Sequence, residues 1–289
     1  GGLVTDVLVA GIETLTVNTK KFTGKVTAQE AATVTITAGS TTTDTTTISD
    51  IVQSTAVLAT LNLGGAGETL DVDAAEIDFK GDAVVNITNT GSTLVSIAAL
   101  AASTNSLTVT GGAGDDTVDV DALTAGTITV NTGAGDDTVI IDAGDLTINT
   151  GTGNDLITVE TWASITTADS IDLGGGTLDR VRTSGATLGS SQKTIAGYFS
   201  NAEIFDSSAT TRKVFDINGL SNASHVIDSG GVAAVSDTIA TTDGADGISA
   251  TVDSTDILEI RASVTGNSGG NAAIADTAEV GNTGGDGID

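Results

Sequence analysis

Apolar and polar residues alternate through Glu13-Thr14-Leu15-Thr16-Val17-Asn18-Thr19, Lys25-Val26-Thr27 and Thr33-Val34-Thr35-Ile36-Thr37. This is the period-two signature of strands with one face in a core and the other in water. The same rhythm returns at Val84-Val85-Asn86-Ile87-Thr88, Thr93–Ile97 and Leu107-Thr108-Val109-Thr110, and it predicts strands over Asp71–Phe79, Thr117–Leu123, Thr127–Val130, Thr138–Ile141 and Leu146–Ile148. Further strands are expected at Ile204-Phe205-Asp206, Val214–Ile217 and Ile257–Ile260. The rhythm changes near Ile51, Val52, Val57 and Leu58, whose near-helical spacing predicts a short helix over Ser49–Ala59 capped by Ser49 or Asp50.

Set into this alternation is a phrase that occurs three times: GGAGDDTVD from Gly111, TGAGDDTVI from Thr132 and TGTGNDLIT from Thr150. The starts are 21 and 18 residues apart, room for two strands and two turns. That is one coil of a parallel β-helix, so the fold class expected is all-β, a parallel β-helix with flanking strand-rich segments. The Gly-Asp loops then align on one edge, and the opposite turns, such as Thr124-Ala125-Gly126, lack the phrase. Imperfect copies occur at Gly64-Gly65-Ala66-Gly67-Glu68-Thr69, with Thr69 where the others have Asp, and at Leu173–Val181, where Asp179 is the remnant acid. The organisation expected is a β-rich segment 1–63, a solenoid 64–190 and a β-rich segment 191–289 that holds most of the large aromatic side chains.

Composition supports thin layers of strands. Aromatic residues are 2% of the chain and Pro, Cys and Met are absent, which leaves a core of β-branched and small side chains. Without Cys there is neither a disulfide framework nor a thiolate metal site. The formal net charge of −28 argues against binding nucleic acid or anionic membranes and in favour of cations. No apolar run is long enough for a membrane-spanning helix.

The loops concentrate that charge. Alternate glycines open backbone conformations closed to other residues and clear side chains from the inside of a tight turn, so that carbonyl oxygens can converge. The sixth residue of each copy, Asp116, Asp137 or Asp155, adds a carboxylate. A shell of carboxylates and carbonyls suits Ca²⁺ better than Mg²⁺ or zinc. Coils about 4.8 Å apart would leave neighbouring carboxylates repelling by roughly 3 kcal/mol at an effective dielectric near 20. No Lys or Arg occurs between Gly81 and Asp179 to relieve them.

The phrase resembles the nonapeptide G-G-x-G-x-D-x-U-x of the repeats-in-toxin (RTX) family, U being a large apolar residue. The first copy matches every fixed position; the others carry Thr132 and Thr150 at the first Gly. The resemblance implies Ca²⁺ held between successive loops by Asp116, Asp137 and Asp155, with carbonyls of Gly112, Ala113, Gly114, Gly133, Ala134 and Gly135, and Asp179 as a degenerate ligand. Typical members repeat every nine residues and bind on both edges, unlike this chain. Its wider style, rich in Thr, Ala and Gly, resembles Ca²⁺-dependent surface-layer and surface-fibre proteins of Gram-negative bacteria.

Catalytic patterns are missing. His225 is the only histidine, and there is no HExxH, G-x-S-x-G or phosphate-loop motif; Trp162 reads as a packing anchor. The expectation is therefore a structural protein and not an enzyme: extracellular, on the bacterial cell surface, stabilised by Ca²⁺ and assembling with copies of itself into a lattice or filament. Cell-surface polysaccharide is the further partner expected. The alternative is the stalk or export segment of a secreted RTX-type adhesin.

Overall fold

The computed structural model describes residues 7–9, 13–19, 23–28, 31–39, 45–52, 58–67, 69–79, 81–100, 102–183, 187–188, 198–202, 204–207, 214–216, 224–228, 236–241, 247–251 and 257–262. Strands that neighbour each other within a sheet are alternate strands of the chain, and their pairings are parallel. Strands fall alternately into two sheets, one of twelve strands from Val7–Val9 to Gly247–Thr251 and one of nine from Thr14–Thr19 to Phe199–Ser200. The chain is thus a parallel β-helix, each coil a strand in one sheet, a turn, a strand in the other, and a turn. The sheets run without a break through the strand Thr60–Gly65. The strands Thr187–Leu188, Val214–Asp216, Ser236–Thr241 and Ile257–Ala262 form a third sheet, of four strands.

In-register stacking turns the sequence alternation into columns. Inside the nine-stranded sheet, Val85, Val109, Val130, Ile148 and Ile171 lie level with one another. Inside the other, Val95, Val118, Val139, Ile157 and Val181 do the same. All ten are buried, and each aliphatic side chain so removed from water contributes roughly 1.5–3 kcal/mol. Like stacks on like, so β-branched residues serve both the strand conformation and the narrow core.

Outward positions form columns too. Thr14, Thr33, Thr60, Val84, Thr108, Thr129, Thr147 and Ser170 run in register across the nine-stranded sheet. Beside them run Thr16, Thr35, Asn62, Asn86, Thr110, Asn131, Asn149 and Asp172.

The expected helix over Ser49–Ala59 is corrected for its first part: Thr45–Val52 is a strand. Its pairing with Thr23–Ala28 slips between Gly24 and Lys25, whose partners are Ile48 and Asp50. The extra residue, Ser49, lets Ile48 and Ile51 both enter the core. The bulge breaks the strict alternation and brings Ile51 inward, where the near-helical spacing of Ile51 and Val52 begins. Residues 53–57 lie outside the described residues. Trp162 is buried on the edge opposite the Gly-Asp loops, stacked on Phe199 with ring centroids 5.5 Å apart. His225 lies in the strand Ser224–Asp228.

Candidate metal centre

Each Gly-Asp loop leaves the nine-stranded sheet and enters the twelve-stranded one, so the copies stack on a single edge. Bridges between Ala134 and Thr152 and between Thr152 and Gly175 tie successive loops, as do hydrogen bonds from Gly135 N–H to Thr152 O (2.9 Å) and Thr152 N–H to Gly133 O (2.9 Å). The approach is close enough to require glycine. A β-carbon on Gly133 or Gly151, both at positive φ, would run into the carbonyl of Gly112 or Gly133 one coil earlier.

Asp116, Asp137, Asp155 and Asp179 are all buried and form one column with a direction. The Oδ1 of Asp116 accepts the Thr93 N–H (3.0 Å), that of Asp137 the Asp116 N–H (2.7 Å), that of Asp155 the Asp137 N–H (2.8 Å), and that of Asp179 the Asp155 N–H (2.8 Å). Asp179 thus takes the place expected for a sixth-position acid, although Leu178 is extruded to 57% exposure to bring it there. The column stops at Thr93. Register sets Leu70, not Thr69, level with Thr93, so the imperfect copy at Gly64 places an apolar residue where the acid would stand.

The second oxygens carry the chemistry. The Oδ2 atoms of Asp116, Asp137 and Asp155 are buried with no hydrogen-bond partner among the described residues. Buried polar atoms are almost always satisfied, and an unsatisfied charged one is costly. Burial first, and the neighbouring Asp137 charge second, push the Asp116 carboxyl up to about 7, against lowering by the hydrogen bond from the Thr93 N–H. Burial also raises Asp137 and Asp155, with the acids of adjacent coils adding to the shift.

The loop carbonyls are further oxygen donors on the same edge. Those of Ala113, Gly114, Ala134 and Gly135 accept no hydrogen bond among the described residues, whereas Gly112 O and Gly133 O take the Ala134 and Thr152 N–H groups (3.0 and 2.9 Å). A carbonyl with one such bond keeps a second lone pair. No three acidic or imidazole side chains converge among the described residues. A cation here would therefore take at most two carboxylates, with carbonyls for the remainder. Buried unpaired oxygens, free carbonyls and the absence of nitrogen or sulfur donors fit Ca²⁺.

Two features of the loops were not legible as such in the sequence. The fifth-position residues form a second, exposed column running the opposite way. Asp115 Oδ1 accepts the Asp136 N–H (2.9 Å) and Asp136 Oδ1 the Asn154 N–H (2.7 Å). Thr132 and Thr150, at the first position of their copies, where the first copy has Gly111, are buried, and their hydroxyls donate to the carbonyls of Thr150 and Leu173, both at 2.8 Å. The only signal for either was the recurrence of DD or ND pairs and of the initial Thr.

The raised carboxyls predict an inverted pH response in the cation-free protein. A folded-state pKa above the ordinary 3.8 means that the folded state binds protons more tightly than the unfolded one between those values. Stability is then fullest below about pH 4 and is lost as pH rises through about 7. Thermal melting of exhaustively demetallated protein from pH 5 to 8 should show a falling midpoint; a rising one would contradict the raised carboxyls.

No family of proteins, curated protein or solved structure matches this chain.

Proposed function

We propose that the chain is an extracellular structural protein of the bacterial cell surface, ordered by Ca²⁺ bound in RTX-type loops and assembling with copies of itself into a surface layer or fibre. The observation that carries this reading is the column of buried, unpartnered Oδ2 atoms on Asp116, Asp137 and Asp155, in a stretch without Lys or Arg from Gly81 to Asp179. Bound Ca²⁺ supplies positive charge between consecutive coils.

The residues do the rest. Asp116, Asp137 and Asp155 each keep one buried oxygen without a hydrogen-bond partner, while their Oδ1 atoms and that of Asp179 hold the preceding coil in register. Gly112, Gly133 and Gly151 let the loops close up until their carbonyls face the next turn. Folding is in this way coupled to a cation-rich exterior, as in other domains whose site exists only in the folded state. Neutralised loops also lower the cost of bringing together copies of a chain with net charge −28.

Electron microscopy of the Ca²⁺-loaded and demetallated protein is the test. Ordered sheets or filaments that form only with Ca²⁺ are expected. Dispersed monomers in both conditions would sink self-assembly, and the stalk of a secreted adhesin would then take its place; cell-surface polysaccharide is the ligand to try on it.

A further inference from the structure

The two outward columns of the nine-stranded sheet form an unusual surface on so acidic a chain. From Thr14 to Ser170 and from Thr16 to Asn149 they consist of Thr, Asn, one Ser and one Val, without a charged residue. The outward positions of the twelve-stranded sheet, by contrast, include Asp71, Asp119, Arg180 and Arg182. On the nine-stranded sheet, charge is confined to the border: Asp145 at the start of its strand and Asp172 at the last coil.

Three further observations give this face a partner. Its amides are partly spent on one another, Asn62 donating to Thr35 Oγ1 (3.1 Å) and Asn86 to Asn62 Oδ1 (2.9 Å), as in the side-chain ladders of dry sheet-to-sheet packings. Val84, 37% exposed, is with Leu178 one of two exposed large hydrophobic residues among the described residues, and it sits mid-column between Thr60 and Thr108. The area is that of a small interface. The eight strands from Thr14 to Ser170 at about 4.8 Å span ~34 Å, and strands of five residues add ~17 Å at about 3.3 Å per residue. The product, roughly 570 Å² per copy, clears the ~1,000 Å² in total expected of a specific interface.

We propose that this face pairs two copies of the chain, sheet against sheet, with Val84 near the centre of the contact. The inference rests on the self-assembly reading and names its surface. Each copy uses the same patch, so the contact closes on itself as a two-fold pair. Border carboxylates stay in solvent, where the screening length is about 8 Å at physiological salt.

Sedimentation equilibrium over a range of concentrations, in Ca²⁺, should show the wild type as a dimer. Val84→Glu and Thr147→Glu, which place a charge on the face without touching the core, should each weaken association at least tenfold. Thr158→Glu, on the other sheet and level with Ile140 and Arg182, should leave it unchanged. A monomeric wild type, intact dimers in both face variants, or an equal loss in Thr158→Glu would overturn the inference. Melting each protein with and without Ca²⁺ separates the two readings: dimers that form with no Ca²⁺ response uphold the face and refute the Ca²⁺-ordered loops.

Discussion

Asp137→Asn should abolish most of the stability that Ca²⁺ confers and leave the cation-free protein at least as stable as the wild type. Asp137 is the middle of the column, its Oδ1 holding the Asp116 N–H and its own N–H held by Asp155, so it faces both neighbouring gaps. Asn keeps the Oδ1 acceptor and replaces a buried, unpartnered anionic oxygen with a neutral group, removing a desolvated charge and its repulsion of Asp116 and Asp155. What it cannot keep is the attraction for a cation. Ligand at about a thousand times its dissociation constant stabilises by roughly 4 kcal/mol per site, worth about 10 °C of melting temperature in a chain of this size. The loss should show as a collapse of the Ca²⁺-induced shift in a calorimetric melt. Asp115→Asn, in the exposed column, should keep that shift; equal losses in both would show that the column is only a hydrogen-bonded ladder.

Gly153→Ala should cost at least about 3 kcal/mol, because backbone strain and a collision with main chain act together. Gly153 has φ +141° and its β-carbon would strike the carbonyl of Gly135. A carbonyl fixed in the inter-coil ladder cannot swing aside as a side chain would. Gly67 is the control, with φ +102° but nothing within 4 Å of an added β-carbon, so Gly67→Ala should cost only about 1 kcal/mol. Since each coil contacts only its neighbours, the damage at Gly153 should also broaden the urea transition, splitting the solenoid at that coil. Matching losses at the two glycines would refute the close stacking of loops.

The coiled architecture was legible because it is written twice. Period-two alternation specifies strands, and recurrence of the Gly-Asp phrase at 18 and 21 residues specifies that they stack. Reading failed where a local event imitated another period. The bulge at Ser49 turns Ile51 inward where strict alternation would have put Asp50, and Ile51 with Val52 opens the near-helical spacing. At Gly64 the sequence alignment paired Thr69 with the acids, whereas the register, set by strands on either side, brings Leu70 to that level. The candidate site was legible as residue types and spacing, down to Asp179. Its hydrogen-bond logic was not. Whether an Asp carboxylate reaches back to the preceding coil, as Asp137 does, or forward to the next, as Asp136 does, depends on inter-coil geometry that one copy of the phrase does not encode. The roles of Thr132 and Thr150 were hidden for the same reason: their partners are carbonyls of the following coil.

The central claim is that the buried aspartate column is a Ca²⁺ site, and thermal unfolding of the wild type by circular dichroism, demetallated and then restored with millimolar Ca²⁺, tests it most directly. The account predicts a midpoint higher with Ca²⁺ by about 10 °C or more, with Mg²⁺ at the same concentration giving far less. Superimposable melts in the two conditions would contradict it.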